Sequence, residues 1–168
     1  MVGAVDDCSH QFPIHMLNAL ELKIPPVALT ILFSALMWLV SAYSATSIQL
    51  PWRSTFGPLV GSVGLAIFLA GVVACRRANT TVNPLTPAAT TTMVCSGIYR
   101  FTRNPMYLGF FLILAGWAIY LSNLLALALL PLFVWYLNRF QILPEERTLC
   151  AKFPHTFTAY MGSVRRWI

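Results

Sequence analysis

Four apolar runs, separated by short or polar connections, set the pattern of this chain. Pro25-Pro26 opens the first, and Val27 to Ala45 then runs 19 residues without a charge. Proline suits a first helical turn, where its missing N–H would have no partner. At about 1.5 Å per residue the run reaches ~28 Å, one hydrocarbon thickness. A turn through Gln49, Pro51, Trp52 and Arg53 leads to the second run, Phe56 to Cys75, with Trp52 suited to a membrane interface. Gly57, Gly61 and Gly64 lie at helical spacing, with Gly71 further on, and Gly57-x-x-x-Gly61 fits the small-residue pattern that lets membrane helices approach closely. Met106 to Leu121 and Leu124 to Leu143 are the third and fourth runs. Only Ser122-Asn123 separates them, which predicts a tight antiparallel hairpin. Pro131 is expected to kink its second arm, because it removes an intrahelical bond.

The polar stretches complete the layout. Residues 1–23 are mixed and read as a mobile tail. Arg76-Arg77 closes the second run, and residues 78–95 follow, rich in Thr, Asn and Pro. That loop is too long for a simple connection and is expected to cap a site. Beyond Pro144 the apolar residues Leu149, Phe153, Phe157 and Tyr160 recur at spacings of three and four. This predicts an amphipathic helix at the membrane surface, interrupted by Pro154. The expected fold is all-α and multi-pass: about four spans, a C-terminal helical hairpin and an amphipathic cytoplasmic tail helix. It divides into a tail (1–23), two membrane helices (24–75) and a core carrying the chemistry (76–168).

Composition supports the membrane reading. Of the residues, 58% are hydrophobic and 10% charged, with a mean hydropathy of +0.70, whereas soluble domains carry about 25% charged residues. The net charge of +6 is no sign of a nucleic-acid partner, since no basic stripe sits on a soluble module. Cysteines at 8, 75, 95 and 150 form no Cys-x-x-Cys pair. They read as small buried apolar residues rather than a metal site or a disulfide framework. Charge instead sets topology. Arg76, Arg77, Arg100 and Arg103 lie between the second and third runs, and Arg139, Arg147, Lys152, Arg165 and Arg166 near or beyond the end of the fourth; these are nine of the eleven cations. With four spans both groups fall on one side, which the positive-inside rule makes cytoplasmic, with both termini there too.

Two polar blocks therefore stand at the feet of one hairpin: Ser96 to Gly109, and Pro144-Glu145-Glu146-Arg147. Glu145 and Glu146 are the only acids after Glu21. Ionisable groups at such depth are costly, and they either face a cavity or pair with one another. Arginines snorkelling beside bridging glutamates would make the blocks purely structural.

The run Gly-Ile-Tyr-Arg-Phe-Thr-Arg-Asn-Pro-Met-Tyr-Leu-Gly at 97–109, followed by a hairpin and Glu145-Glu146-x-x-Leu149, resembles the isoprenylcysteine carboxyl methyltransferase family. It is also similar to the related phospholipid methyltransferases. The stretches at 76–84 and 139–147 resemble short bacterial members, and the likeness extends over residues 20–168. The resemblance implies a bacterial inner-membrane methyltransferase that uses S-adenosylmethionine from the cytosol, with a lipophilic or amphipathic acceptor entering from the surrounding membrane lipids. It implies a cofactor lining of Thr91, Thr92, Met93, Val94, Tyr99, Asn104, Pro105, Met106, Tyr107 and Glu145. Arg103, Arg139 and Glu146 are the candidate catalytic residues, and no metal is expected. Where eukaryotic members carry histidine this chain has Asn104, which cannot titrate and so takes no proton role.

The chemistry suits these residue types. Methyl transfer from a sulfonium depends mainly on positioning and electrostatics. A carboxylate can accept ribose hydroxyls or an amino group, and Tyr99 and Tyr107 can stack on adenine or face the cation. A guanidinium from Arg103 or Arg139 could orient a carboxylate acceptor bidentately. An amine acceptor, as in phospholipid N-methylation, is the alternative. A non-enzymatic scaffold or transporter subunit is a third reading. No Gly-x-Gly-x-x-Gly follows a strand, which excludes a soluble Rossmann-type methyltransferase. The topology makes a first prediction: a reporter fused to the C terminus is active in the cytoplasm, and one active only on the outer face would overturn the assignment.

Overall fold

The computed structural model describes residues 21–78 and 93–168; the expected tail up to residue 20, most of the capping loop, and Thr91 and Thr92 lie outside them. Helix α1 spans Pro26–Tyr43 and α2 spans Arg53–Arg77. A short 3-10 turn, Gly97–Arg100, precedes α3 (Pro105–Leu121), and α4 (Leu124–Leu137) follows. A π-turn over Asn138–Ile142 joins α4 to α5 (Leu143–Lys152), and α6 covers Pro154–Ser163. Among the described residues there is no β-strand, only an isolated bridge between Ser47 and Asn123.

Among the described residues, three helical stretches are long and apolar enough to cross a membrane: α1, α2 and the continuous rod Leu124–Lys152; α3 is apolar but shorter. Only 17% of the most apolar window of α2 is buried within the protein, so most of its apolar surface is left for lipid. Ile31, Leu32 and Trp38 on α1 and Leu65 and Leu69 on α2 are likewise exposed.

The closest helix contact is α2 against α3, and glycine makes it possible. Gly57, Gly64 and Gly71, seven apart, are buried along α2. A Cβ on Gly64 would stand 2.7 Å from the Gly109 carbonyl oxygen, and one on Gly116 would stand 2.5 Å from that of Gly57. The two backbones therefore touch directly, antiparallel, with no room for a methyl group. Further along, Gly71 receives Pro105 and Met106.

The hairpin turns where the pattern placed it. Ser122 takes the left-handed conformation (φ 50°) that ends α3, and the Asn123 side chain accepts from the amides of Leu125 and Ala126 to begin α4. Asn123 also donates to Ser44 Oγ at 2.8 Å, which ties the tip to the α1–α2 connection. Against this frame α1, α3 and α4 bury Phe33, Met37, Leu114, Phe133 and Leu137 in one core. Pro131 lies inside α4 on its exposed side.

At the other end the fold departs from expectation. The fourth run does not stop at Pro144; the helix passes through it by widening. The Leu143 amide reaches back five residues to the Asn138 carbonyl. Pro144 has no N–H to offer the carbonyl four residues before it, that of Phe140. The Leu22 amide donates there instead, at 3.0 Å. Beyond Lys152 the break at Pro154 stands, and the apolar face of the tail turns inward. Phe157 and Tyr160 are buried with Cys75, Tyr99 and Cys150 in a second core. Cys75 is a buried free thiol, whereas Cys95 is free and exposed. This corrects the reading of the cysteines as small buried residues at Cys95, which precedes the exposed turn at Ser96-Gly97.

The seam predicts an asymmetric response to added methyl groups. Gly109→Ala and Gly116→Ala must push backbones apart and each should cost about 1–3 kcal/mol. Gly61→Ala should cost far less, because a Cβ there meets nothing within 4 Å. Thermal unfolding in detergent checks the ranking, and equal losses at the three positions would contradict it.

Candidate functional site

The first polar block folds into a corner because of its local chemistry. Gly97 takes φ +63°, a turn conformation open to glycine, and starts the 3-10 turn that drops Tyr99 into the second core. Thr102 Oγ1 accepts from the Asn104 amide at 3.2 Å, and Pro105 then begins α3. The chain's C-terminal segment closes over this corner. Arg103 donates its backbone N–H to the Arg165 carbonyl at 3.1 Å. Thr102 Oγ1 and Asn104 Nδ2 both reach the Arg166 carbonyl, at 3.3 and 3.0 Å. Trp167 donates to Asn138 Oδ1 at 3.2 Å.

The twin glutamates sit one residue apart, about 100° around a helix, and they face different partners. Glu146 is buried between two guanidinium groups. Arg166 donates to both of its oxygens, at 3.2 and 2.6 Å, and Arg103 Nη1 lies 3.3 Å away. The Arg103 contact is an ion pair by distance but is not aligned as a hydrogen bond, so its Nε and Nη1 remain without a hydrogen-bond partner. Burial lowers the Arg103 guanidinium from its ordinary value, and the Glu146 charge opposes that shift.

Glu145 turns to α3 instead and accepts from the Tyr107 hydroxyl at 3.0 Å through Oε2. Among the described residues no cation pairs with it and Oε1 accepts no hydrogen bond. Tyr99 belongs to the same cluster: its hydroxyl lies 3.2 Å from Cys75 Sγ, and Tyr160 donates to its carbonyl at 2.6 Å. Burial first, then the neighbouring Cys75 and Glu145, push the Tyr99 phenol far above its usual value; burial does the same to Tyr160. Both phenols stay protonated at any physiological pH. Met93 and Val94 pack on this second core.

Of the expected cofactor lining, Tyr107 meets Glu145 directly, whereas Met93, Val94 and Tyr99 belong to the second core. The others are occupied elsewhere. Asn104 holds the C-terminal segment, while Pro105 and Met106 fill the α2 seam at Gly71. Arg139 is engaged by Glu21, whose Oε1 it meets at 2.8 Å. Arg147 meets the same oxygen at 2.9 Å. Burial alone would raise the Glu21 carboxyl, but hydrogen bonds and charge from Arg139 and Arg147 outweigh it and hold the group below the usual carboxylate range.

Pattern reading missed Cys75, Tyr160, Arg166 and Glu21. One signal could have found the last two. The chain has five acids in all, and a carboxylate near apolar depth needs a counter-charge. In the sequence pattern, Arg165 and Arg166 enter only as topology signals.

A profile of the phospholipid methyltransferase family matches residues 52–155. An uncharacterized protein of Haemophilus influenzae is 41% identical over 63 residues, which cover 38% of this chain and 100% of that protein. No solved structure matches.

The geometry separates the glutamates by experiment. Glu146→Ala strands two guanidinium groups and should cost roughly 3 kcal/mol or more in thermal unfolding, whereas Glu145→Gln, which keeps an acceptor for Tyr107, should cost about 1 kcal/mol or less. The Glu21 ion pairs add a pH signature. A depressed folded-state pKa contributes stability above the unfolded value of about 4.3, and that contribution is lost as pH falls through the folded value. The stability gap between wild type and Glu21→Gln should therefore hold from pH 7 to about 5 and close under more acidic conditions. A gap that widens on acidification would contradict the pairing.

Proposed function

Because the chain belongs to the phospholipid methyltransferase family, a family of membrane methyltransferases, we propose that it uses S-adenosylmethionine to methylate a lipophilic or amphipathic acceptor that enters from the bilayer. The observation that carries the reading is the Tyr107–Glu145 contact at 3.0 Å, which joins the two polar blocks at one end of the helices. The cofactor supplies an activated methyl group on a sulfonium. The residues present fit it. Glu145 offers a carboxylate oxygen not committed to any described partner, suited to hydroxyl or amino donors or to a positive charge. Tyr99 and Tyr107 offer aromatic surface with fixed hydroxyls, and Met93 and Val94 an apolar wall. The family resemblance adds Thr91 and Thr92, which lie outside the described residues, to the candidate cofactor lining.

The acceptor has two readings. The motifs resemble enzymes that methylate a prenylated cysteine carboxylate, and Arg103 or Arg139 would orient such a group. Yet Arg103 lies against Glu146 and Arg139 against Glu21. A carboxylate acceptor would compete with a resident carboxylate at either place. This observation favours the second reading, N-methylation of an ethanolamine-type phospholipid, for which no free guanidinium is needed. We place the site on the cytosolic face of a bacterial inner membrane. Arg76, Arg77, Arg100 and Arg165 are exposed near the polar blocks, as the positive-inside rule requires of that face.

Calorimetric titration of the detergent-purified protein with S-adenosylhomocysteine tests the assignment. Wild type should bind, and Glu145→Ala and Tyr107→Ala should each weaken binding by about tenfold or more. A folded protein without binding, or binding indifferent to both changes, would instead favour a scaffold. Labelled S-adenosylmethionine with lipid extract then separates the acceptors: base-labile label marks an ester, and base-stable label an N-methyl group.

A further inference from the structure

Residues 21–24 lie across the helical rod that carries the glutamates and grip it at four points. Glu21 Oε1 accepts from Arg139 Nη1 at 2.8 Å and from Arg147 Nη2 at 2.9 Å. The Leu22 amide donates to the Phe140 carbonyl at 3.0 Å, and Gln141 Nε2 donates to the Ile24 carbonyl at 2.7 Å. These contacts touch the π-turn itself and, at Arg147, the helix α5 beyond it. Leu22 holds φ 55°, a conformation that a leucine rarely adopts and that costs on the order of 1 kcal/mol or more. Gln141 is fully buried, with its Oε1 unpaired. The strap is therefore held at some energetic cost on both sides of the contact.

A π-turn carries one residue more than an α-turn and has poorer hydrogen-bond geometry; such turns recur at functional sites. Relaxing it to an α-helix would shift everything downstream by one residue, a rotation of about 100°. Glu145 would then leave Tyr107, and Glu146 would leave Arg166. Something must oppose that relaxation, and one carboxylate oxygen bridging Arg139 and Arg147 from either side of Pro144 does so directly.

We infer that Glu21 is a positioning residue: by bridging Arg139 and Arg147 across the π-turn, it sets the rotation of α5 that presents Glu145 at the cofactor site. The inference rests on the proposed role of Glu145, through which Glu21 acts. It also implies that a segment ahead of the first membrane helix belongs to the working site.

The test is a double-mutant cycle on the full-length protein, read by S-adenosylhomocysteine titration. Glu21→Gln should weaken binding by about tenfold, and the Glu21→Gln/Glu145→Gln pair should bind no more weakly than Glu145→Gln alone. Unchanged affinity in Glu21→Gln, or losses that multiply, would overturn the inference. Hydrogen exchange on the ligand-free protein gives an independent readout. Amides of residues 138–147 should exchange about tenfold faster in Glu21→Gln while those of α2 stay unchanged; faster exchange throughout would mark general destabilisation and count against positioning. Should Glu21→Gln fail to fold, Gln141→Met carries the same cycle, because it cuts the Ile24 contact and also removes the unpaired oxygen. If wild type binds no S-adenosylhomocysteine, or Glu145→Gln has no effect, the proposed site is at fault, and the exchange pattern alone decides whether Glu21 holds the turn.

Discussion

A carboxylate taken out of water has to be met by cations or by hydroxyl and amide donors, and this chain has few of either. Its glutamates meet that constraint in two different ways. Glu146 is neutralised between Arg103 and Arg166, and Glu21 between Arg139 and Arg147. Glu145 has only the Tyr107 hydroxyl, with no cation among the described residues. Buried pairs of the first kind contribute little net stability, although breaking them is costly. They act here as fixed points. The second arrangement leaves Glu145 held by one phenolic hydroxyl, with no cation beside it among the described residues.

The fixed points work only because the helices beneath them are held close. The glycine seam brings α2 and α3 into backbone contact, so Gly71 receives Pro105 and Met106 and the corner at residues 102–104 stands beside the end of α2. Cys75 can then reach Tyr99. From the opposite side the C-terminal segment threads over the same corner through the Arg165 and Arg166 carbonyls. Two remote parts of the chain thereby brace this end: residues 165–167 tie the corner to the rod Leu124–Lys152, and residues 21–24 hold the rod itself. The opposite end of the hairpin, around Asn123, carries only capping and connection contacts.

Much of this architecture is local, and for that reason the sequence by itself determined it. Run length and absence of charge define membrane helices, because the bilayer sets both the span and the penalty for charge. Two residues between apolar runs leave only a tight hairpin. The parity of the spans, together with the arginine distribution, puts Arg103 and Glu146 on one side, and the structure finds them 3.3 Å apart. Glycine spacing marked the α2 face that meets α3. What only the tertiary structure decided are pairings between residues far apart in the chain. Glu146 is 20 residues from Arg166, and Glu21 is 118 and 126 from its two arginines. Nothing in the periodicity of either segment couples them. The π-turn belongs to the same class: Pro144 signals a disturbed helix, but whether the helix ends or widens depends on what meets the freed Phe140 carbonyl. That partner is the amide of Leu22, brought there by the packing of α1 against α4.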